Sequence, residues 1–498
     1  MAQKKTGVKT EHPDYVAMLP IWKRARDVYA GTLKLREYTT EYLPKLTDEE
    51  NDAYLARLNR TVLYNSFYRT ISGFLGMLFR VPAVVDAPPN TLAMFDDITL
   101  TGIPLSIWVQ NEVALECMIV NRVGLLVNYP VTDEAMTIAD AGMLNIRPSM
   151  AAIKAEQIIN WKERRVNNKY SLSMAVIKED HAVPIDEFED KIVTRYRVLD
   201  LDENDVYRVR IIEPQESKGK VVDVEIERYY PIMNSKTMNY IPFYITGTAN
   251  IKPDVDMPIM SDLADLCIAH FMAYADLANA CHWQGAPTLN ITGHEIPDGT
   301  TLRVGAGKAL ILPNPAARVG IVEVGTAGFS ALENQLNRLE SQMITVGSKL
   351  LEQHRVQAES STTAIIYRAG ENSILSALSI SVSTAITIAL KTFTEWARDN
   401  PESVRFTLNK EFFREPVTPE MITALVGAMQ GGAGQVAMIS KEAIFDYLQK
   451  SEFFPSHATF EEEQAKIEAG MPKPVAPPAI VTKIQKMPDG SMQATRSA

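Results

Sequence analysis

The chain contains 498 residues, of which 46% are hydrophobic and 22% are charged, and these proportions are typical of globular proteins. This composition excludes a chain that is disordered throughout, and the length predicts about three domains at roughly 150 residues each. Lys and Arg number 50 against 61 Asp and Glu, which gives a formal net charge of −11. A protein that grips phosphates over a broad surface needs the opposite balance, so the composition predicts an acidic, soluble, intracellular protein.

Cysteine is sparse, since Cys117, Cys267 and Cys281 are the three in the sequence. An odd and sparse set cannot form a disulfide framework, which favours a reducing compartment over secretion. The N-terminus has no apolar stretch after its basic residues, so we expect no signal peptide. The two most apolar windows, residues 71–85 and 375–390, are interrupted by charged residues, Pro, Ser or Thr, and they predict no membrane span.

The first part of the chain is predicted to be helical. Apolar residues at steps of three and four predict one helix over residues 55–79 and a second from Pro104 to about Asn121. The apolar run GLLVNY at residues 124–129 predicts a buried strand. Residues 151–165, which include a tryptophan, are predicted to form a short helix.

Between residues 170 and 246 the apolar period changes to two, which is typical of strands. Short polar turns separate these segments and favour an antiparallel meander over a parallel sheet. The predicted strands are residues 171–178, 191–199, 206–213, 221–229 and 240–246.

The sequence then returns to helix. An Ala-rich helix is predicted over residues 258–283, and short strand-like pieces alternate with Gly and Pro between 287 and 324. Residues 328–352 carry apolar side chains in a heptad pattern, which predicts a helix packed nearly in line with another helix. A polar break at residues 353–361 separates it from a long predicted helix over 362–398.

The C-terminal part carries weaker patterns. Residues 418–469 are predicted to be a smaller helical region, interrupted by glycines. Residues 470–498 contain five prolines and no helical period, so we expect a mobile tail.

Two clusters contain residue types that bind metals. The first is the set Cys267, His270, Cys281 and His282. On one helix Cys267 and Cys281 would lie ~21 Å apart at ~1.5 Å per residue, whereas zinc needs every donor at ~2.0–2.3 Å, so helix packing is the favoured interpretation. The second begins at Asp200 and imitates a calcium loop, but Asp205 stands at the sixth position, where Gly is required. The sequence therefore predicts neither a metal site nor a cofactor.

Signatures of catalysis are equally weak. The segment GAGK at residues 305–308 imitates part of a phosphate-binding loop, but Ala309 follows where Ser or Thr would hold magnesium. The seven histidines are scattered, and the sequence has no Gly-x-Ser-x-Gly elbow. We therefore expect no catalytic centre and a protein that is not an enzyme.

Four stretches occur in an order and spacing that resemble one protein family. They are YNSFYR at 64–69 with GMLFRVP at 76–82, GLLVNYP at 124–130, AEQIINW at 155–161, and a longer set between Pro258 and Gly293. Together they resemble the portal proteins of tailed bacteriophages, in the compact form often classified as a domain of unknown function. The resemblance covers roughly residues 15–469, and Asn128 departs from the Asp that is more common at that position.

The resemblance implies an α+β portal fold with a helical and antiparallel-β wing, two stem helices, a β-containing clip, a long helix and a small helical crown. The implied divisions are a wing at 1–257, a first stem helix at 258–284, a clip at 285–327, a second stem helix at 328–352, a tunnel loop at 353–361, a long helix and return to the wing at 362–415, a crown at 416–469 and a flexible tail at 470–498. It further implies a homo-oligomeric ring, typically a dodecamer, at one vertex of the virion capsid, assembled in the host cytoplasm. Double-stranded DNA would pass through the ring during packaging and ejection.

The same resemblance implies roles for individual residues. The DNA-facing tunnel loop would be formed by Gln353, His354, Arg355 and Gln357. The clip facing the terminase and then the tail adaptor would present Thr301, Arg303, Lys308 and Asn314. Neighbouring stems would pack through Phe271, Tyr274, Phe329, Leu332, Leu336 and Leu339. The major capsid protein would surround the ring, and no membrane partner is implied.

Two alternatives remain open on the sequence alone. One is a phage-encoded DNA-processing enzyme, such as a nuclease whose carboxylates meet only in three dimensions. The other is a monomeric adaptor built on the long helices. The net charge of −11 is compatible with a channel, because an acidic wall repels the duplex and lets it slide, whereas tight binding requires neutralised phosphates.

Overall fold

The computed structural model of the chain describes residues 7–130, 144, 146–166, 168–217, 220–285, 288–293, 315–322, 327–348, 361–410, 412, 423, 425, 427, 440–450, 458–470, 481–486, 490 and 492–497. The chain divides into two compact units, Met1–Phe412 and Phe413–Ala498. The first unit combines helices with antiparallel sheets, so the fold class is α+β, as the sequence predicts.

Helices open the first unit, and they are Pro13–Ala30 (α1), Thr32–Glu37 (α2), Asn51–Arg60 (α3) and Ser66–Leu78 (α4). The single helix predicted over residues 55–79 is wrong, because α3 and α4 are separate. Asn65 caps the start of α4, since its Oδ1 accepts a hydrogen bond from Tyr68 N at 2.9 Å. Its Nδ2 donates to the Val28 carbonyl at 2.9 Å and so ties the break to α1. A cap inside a continuous apolar pattern therefore divides the helix.

A short strand, β1 (Val84–Asp86), and a short helix, α5 (Pro89–Met94), lead to the second predicted helix. That helix consists of α6 (Leu105–Trp108), a π-helical stretch (Val109–Ala114) and α7 (Leu115–Val120). It ends at Asn121, whose φ of 57° is left-handed, as predicted for this position. The predicted buried strand is confirmed as β2 (Val123–Asn128), in which all but the last residue are buried.

Two strands joined by one 3₁₀ turn at Ala155–Gln157 occupy residues 151–165, so the short helix predicted there is wrong. Ser149–Lys154 (β3) pairs antiparallel with β2, and Ile158–Val166 (β4) starts a second sheet. Pairing with a buried strand outweighs the helix propensity of the Ala, Glu and Gln residues in this segment.

Trp161 on β4 lies 4.1 Å below the guanidinium of Arg122, and burial lowers the pKa of Arg122 to about 10.

The predicted antiparallel meander is confirmed, with strand order β4-β5-β6-β7-β8. Its further strands are Lys169–Pro184 (β5), Asp190–Leu201 (β6), Tyr207–Ser217 (β7) and Lys220–Tyr229 (β8). A two-stranded ribbon follows, formed by Ile232–Met233 (β9) and Lys236–Thr237 (β10). The last strand predicted for the meander is instead β11 (Phe243–Thr246), which pairs with β2 in the three-stranded sheet β11-β2-β3.

The three later helices are confirmed close to their predicted bounds. They are Ser261–Gly285 (α8), Ala327–Met343 (α9), which continues as a π-helical stretch at Ile344–Ser348, and Ser361–Trp396 (α10). Between α8 and α9 the strands Thr288–Thr292 (β12) and Arg318–Val322 (β13) form an antiparallel pair. Over the described residues of this segment the chain therefore runs helix, strand pair, helix and long helix.

The long helix α10 lies in the core of the first unit. Its fully buried side chains include Leu375, Leu378, Val382, Ile386, Leu390 and Phe393. Arg405–Thr407 (β14) pairs with β1 on one edge and contacts α10 on the other. Thr387 on α10 closes that second edge, because Phe406 N donates to its Oγ1 at 3.1 Å and the Thr387 hydroxyl lies 3.2 Å from the Phe406 carbonyl oxygen.

The second unit contains helices and a β-hairpin. Its helices include Lys441–Lys450 (α11) and Phe460–Gly470 (α12), which meet through the rings of Phe445 and Phe460 at 5.8 Å. The tail expected to be irregular contains an antiparallel pair of strands, Val481–Lys486 (β15) and Met492–Ser497 (β16). In the sequence, the Asp-Gly pair at residues 489–490 between the two segments is a hairpin signal, which a search for helical period overlooks.

Candidate functional site

Two of the predicted residue sets lie outside the part of the chain that the structure describes. These are the tunnel-loop residues Gln353, His354, Arg355 and Gln357, and the clip residues Thr301, Arg303, Lys308 and Asn314. The GAGK segment at residues 305–308 lies outside it as well. Their roles therefore stay predictions.

The third set, on the paired helices α8 and α9, is described. Phe271 and Leu336 are already buried within the single chain, with exposed fractions of 0% and 7%. The other four members are half-buried: Tyr274, Phe329, Leu332 and Leu339. The inter-subunit role stays a prediction, and only these four retain accessible surface that a neighbouring copy could cover.

The two helices meet through sulfur and glycine contacts deep in the structure. Cys267 Sγ on α8 lies 3.7 Å from Met343 Sδ on α9, and both side chains are buried. Gly347, in the π-helical stretch after α9, lies so close to α8 that a Cβ there would come 2.6 Å from Leu263 Cδ2 and 3.2 Å from Thr70. The lack of a side chain at Gly347 therefore permits this close approach.

His270 is the polar residue at the centre of this helix pair. Its Nε2 lies 3.4 Å from Glu340 Oε1, and its ring packs between Tyr64 at 5.5 Å and Tyr274 at 6.4 Å. Burial lowers the pKa of His270, and the nearby Glu340 carboxylate opposes that shift only in part. Its Nδ1 is buried without a hydrogen-bond partner among the described residues. Burial inside this aromatic stack therefore disfavours the charged form of the imidazole.

A groove of about 620 Å³ opens beside His270. One wall comes from the YNSFYR segment that contributed to the resemblance, and the others come from α8 and α9. Residues that line the groove include Tyr64, Arg69, Tyr274, Glu333 and Asn337. The sequence does not reveal this juxtaposition, because the walls are separated by some 200 residues of chain and only the fold brings them together.

The basic cluster near the N-terminus, which the sequence shows at residues 23–26, forms ion pairs. Arg24 Nε lies 3.0 Å from Asp265 Oδ1 and so joins α1 to α8. Arg26 bonds two carboxylates, with Nη2 2.6 Å from Glu116 Oε2 and 2.7 Å from Glu156 Oε2. Burial lowers the pKa of Arg26, but these carboxylates outweigh burial and raise it. The cluster is thus occupied by the protein's own acids.

Neither candidate metal cluster converges in the structure. α8 is one continuous helix in which Cys267 is buried and Cys281 is exposed. Asp200 bonds Arg208 and Arg210, and Asp202 caps the turn that follows by accepting from the next backbone N–H groups. Within the described ranges, no group of three or more His, Cys, Asp and Glu residues is placed to hold a metal ion.

Among the residues that the structure describes, one helix segment meets the length and hydropathy criteria for a membrane span. It is Ile374–Trp396 in α10, and 56% of its most apolar window is buried within the protein. Ser and Thr dilute the apolar residues of this window. Such burial is typical of a core helix, which passes the same test of length and composition.

Comparisons with known proteins give one family match and a structural similarity. A family described as Domain of unknown function (DUF4055) matches residues 259–397, a range that begins just before α8 and ends just after α10. No curated protein matches the chain. A solved structure described as the neck of an empty GTA particle, computed with C6 symmetry, is similar with 11% identity and a TM-score of 0.38. That similarity covers 83% of this chain and 98% of the other chain.

Proposed function

We propose that this chain is the portal subunit of a tailed-phage-like particle. Copies would assemble into a ring, dodecameric in the usual form of the family, at one capsid vertex. Double-stranded DNA would pass through the ring, and the protein would act as a conduit without a catalytic centre of its own. The terminase, the tail adaptor and the major capsid protein would be its partners.

The observation that carries this proposal is the strand pair between two packed helices. β12 and β13 form a two-stranded sheet, and a two-stranded sheet alone is marginally stable in water. On β13, Val319 and Ile321 point to one face and are 48% and 58% exposed. An apolar face of this kind is typical of a contact with another protein. In a ring, the same pair on a neighbouring copy can provide that contact.

Two further observations support a ring of packed helices. The half-buried Tyr274, Leu332 and Leu339 leave an accessible apolar seam on α8 and α9. The heptad spacing on α9 suits a second helix packed nearly in line with it. The net charge of −11, multiplied by the number of copies, suits a channel that does not hold the duplex tightly.

The direct test is the mass and shape of the purified full-length protein. Native mass spectrometry should give a single high multiple of the 55.4 kDa subunit, and negative-stain images should show a ring with a central hole. A stable monomer at all concentrations would contradict the proposal and favour the adaptor. Metal-dependent DNA cleavage that copurifies with the chain would instead favour the nuclease.

A further inference from the structure

The β5–β6 hairpin extends beyond the sheet that holds it. β4 pairs with β5 only as far as Ile177, and β7 pairs with β6 only from Tyr196 onward, whereas β5 and β6 stay paired out to Pro184 and Asp190. No residue between 178 and 195 is buried, although Ile177 and Tyr196 both are. We call residues 178–195 the β-arm. Its seven-residue β5 edge spans about 24 Å at about 3.4 Å per residue.

The tip of the β-arm presents an aromatic side chain among acids. Its sequence, PIDEFED at residues 184–190, has four carboxylates and no basic residue. Phe188 is 92% exposed and Ile185 is 61% exposed. Asp186 fixes the turn, because its Oδ1 accepts hydrogen bonds from Phe188 N at 2.7 Å and Glu189 N at 2.9 Å. A large apolar side chain held outward in an ordered turn is suited to insertion into a partner.

Ion pairs at the base of the β-arm fix its direction. Arg197 Nε bonds Glu179 Oε1 at 2.6 Å across the two strands of the hairpin. Arg195 Nε bonds Glu213 Oε2 at 2.9 Å and so joins the arm to β7. The arm is therefore a projection anchored by the sheet, and docking it would cost little additional ordering.

A groove between α10 and β14 has the opposite charge to the acidic tip of the β-arm, and we call it the cationic groove. Its volume is about 380 Å³, and its apolar lining includes Ile380, which is 51% exposed. The cations that line it are Lys391, Arg405 and Lys410. Lys391 has a partner in Glu402 at 3.3 Å, but that carboxylate is 81% exposed. Three cations around an apolar floor are notable in a chain whose net charge is −11.

We propose that the β-arm of one copy inserts Phe188 into the cationic groove of a second copy. The carboxylates of the tip would face Lys391, Arg405 and Lys410, while the apolar groove lining would cover the ring. The occupant comes from another copy because Phe188 is exposed in its own chain, so it does not fill the groove there. Both features belong to every copy, and such a heterologous contact builds a closed ring or an open filament.

Ring closure rests on the proposed function, but the pairwise contact can be tested without it. The test starts from Cys281→Ser, which removes the exposed native thiol while Cys117 and Cys267 stay buried. Two full-length variants in this background carry Phe188→Cys and Ile380→Cys. Mixed and oxidised, they should give a disulfide-linked dimer on a denaturing gel. As a matched control, Leu33→Cys, also highly exposed at 73%, should give no dimer with Ile380→Cys.

Charge reversal provides a second readout. Lys391→Glu with Arg405→Glu in the groove, or Glu187→Lys with Asp190→Lys in the tip, should each lower the cross-linking yield roughly fivefold. Mixing a copy with the charge-reversed groove and a copy with the charge-reversed tip should restore the cross-linking yield, because opposite charges face each other again. Absence of the cross-link in the mixture, or no effect of reversal, overturns the proposal. If Phe188→Ala still forms unchanged rings, the proposed contact is overturned and the portal function is left intact. If the cross-link forms but no rings are found, the contact is supported and the portal function is contradicted.

Discussion

His270 Nε2 and Glu340 Oε1 lie 3.4 Å apart and connect two helices whose residues are 70 positions apart in sequence. The imidazole is buried, while the carboxylate side chain is 43% exposed. Since burial opposes a positive charge on the ring more strongly than Glu340 favours it, the pKa of His270 lies below its ordinary 6.5. The helix pair therefore contains a group that resists protonation.

This depressed pKa predicts a loss of stability in mild acid. As the pH falls below about 6.5, the unfolded chain binds a proton at this residue before the folded chain does, so the free energy of unfolding decreases. The decrease should stop below the folded-state pKa. His270→Gln should reduce the difference in unfolding free energy measured in urea between about pH 7 and about pH 5. The exposed His181→Gln should keep the full difference, and an equal slope in both variants would contradict this assignment.

Gly347 predicts a packing defect. In Gly347→Ala the new methyl would meet the buried Leu263 and Thr70, so we expect a loss of about 1–3 kcal/mol in unfolding free energy. Gly328→Ala on α9 is the matched control, because no heavy atom lies within 4 Å of its Cβ position. Denaturant titration of both variants measures the difference, and equal stability would show that the helices adjust freely.

Arg57 and Glu49 form a bidentate pair whose side chains are only 2% and 8% exposed. Arg57 lowers the pKa of Glu49 through these bonds. Arg57→Ala should cost about 3–5 kcal/mol, because it leaves a buried carboxylate without its partner. The double variant Arg57→Met, Glu49→Leu should recover most of that loss in denaturant titrations. As a control, Lys34→Ala, which breaks the exposed pair with Glu37, should leave the denaturation midpoint nearly unchanged.

The strand pair β12–β13 predicts an assembly defect without a folding defect. Val319→Asp with Ile321→Asp places charge on exposed positions, so thermal stability of the subunit should change little. Native mass spectrometry should show smaller assemblies, since the apolar face is lost. Leu33→Asp, at another exposed apolar site, should assemble normally. If the double variant still forms rings, the strand pair is not part of the interface between copies.

Residues 353–361, the tunnel loop that the resemblance implies, carry the sequence-based prediction for DNA. Replacing His354 and Arg355 with Ala should leave ring assembly intact and reduce DNA packaging, if this loop lies nearest the duplex. Packaging assays on particles with the variant subunit measure the effect. Unchanged packaging would show that the loop has another position or role.

Some elements of the fold can be predicted from the sequence and others cannot, for physical reasons. The helix predicted over 362–398 is Ser361–Trp396, because a long regular pattern leaves few alternatives. The helix prediction for residues 151–165 is wrong because β3 gains its stability from pairing with β2, and a local sequence pattern does not reveal that partner. The groove at His270 could not be predicted, since Tyr64 and Glu340 meet only through the fold. The heptad pattern on α9 predicts a partner helix but does not identify which helix that is.

Thr387 has a consequence for how copies of this chain can associate. Its Oγ1 accepts a hydrogen bond from the Phe406 amide that a further strand would need. A protein that assembles in many copies is exposed to uncontrolled strand addition wherever an edge is bare. At β14 this route is closed, so recognition there depends on side chains, whose charges and shapes can distinguish a correct neighbour from an incorrect one. Hydroxyl oxygens of α10, Thr387 at Phe406 and Ser383 at Leu408, thus occupy the backbone amides that a further strand would use.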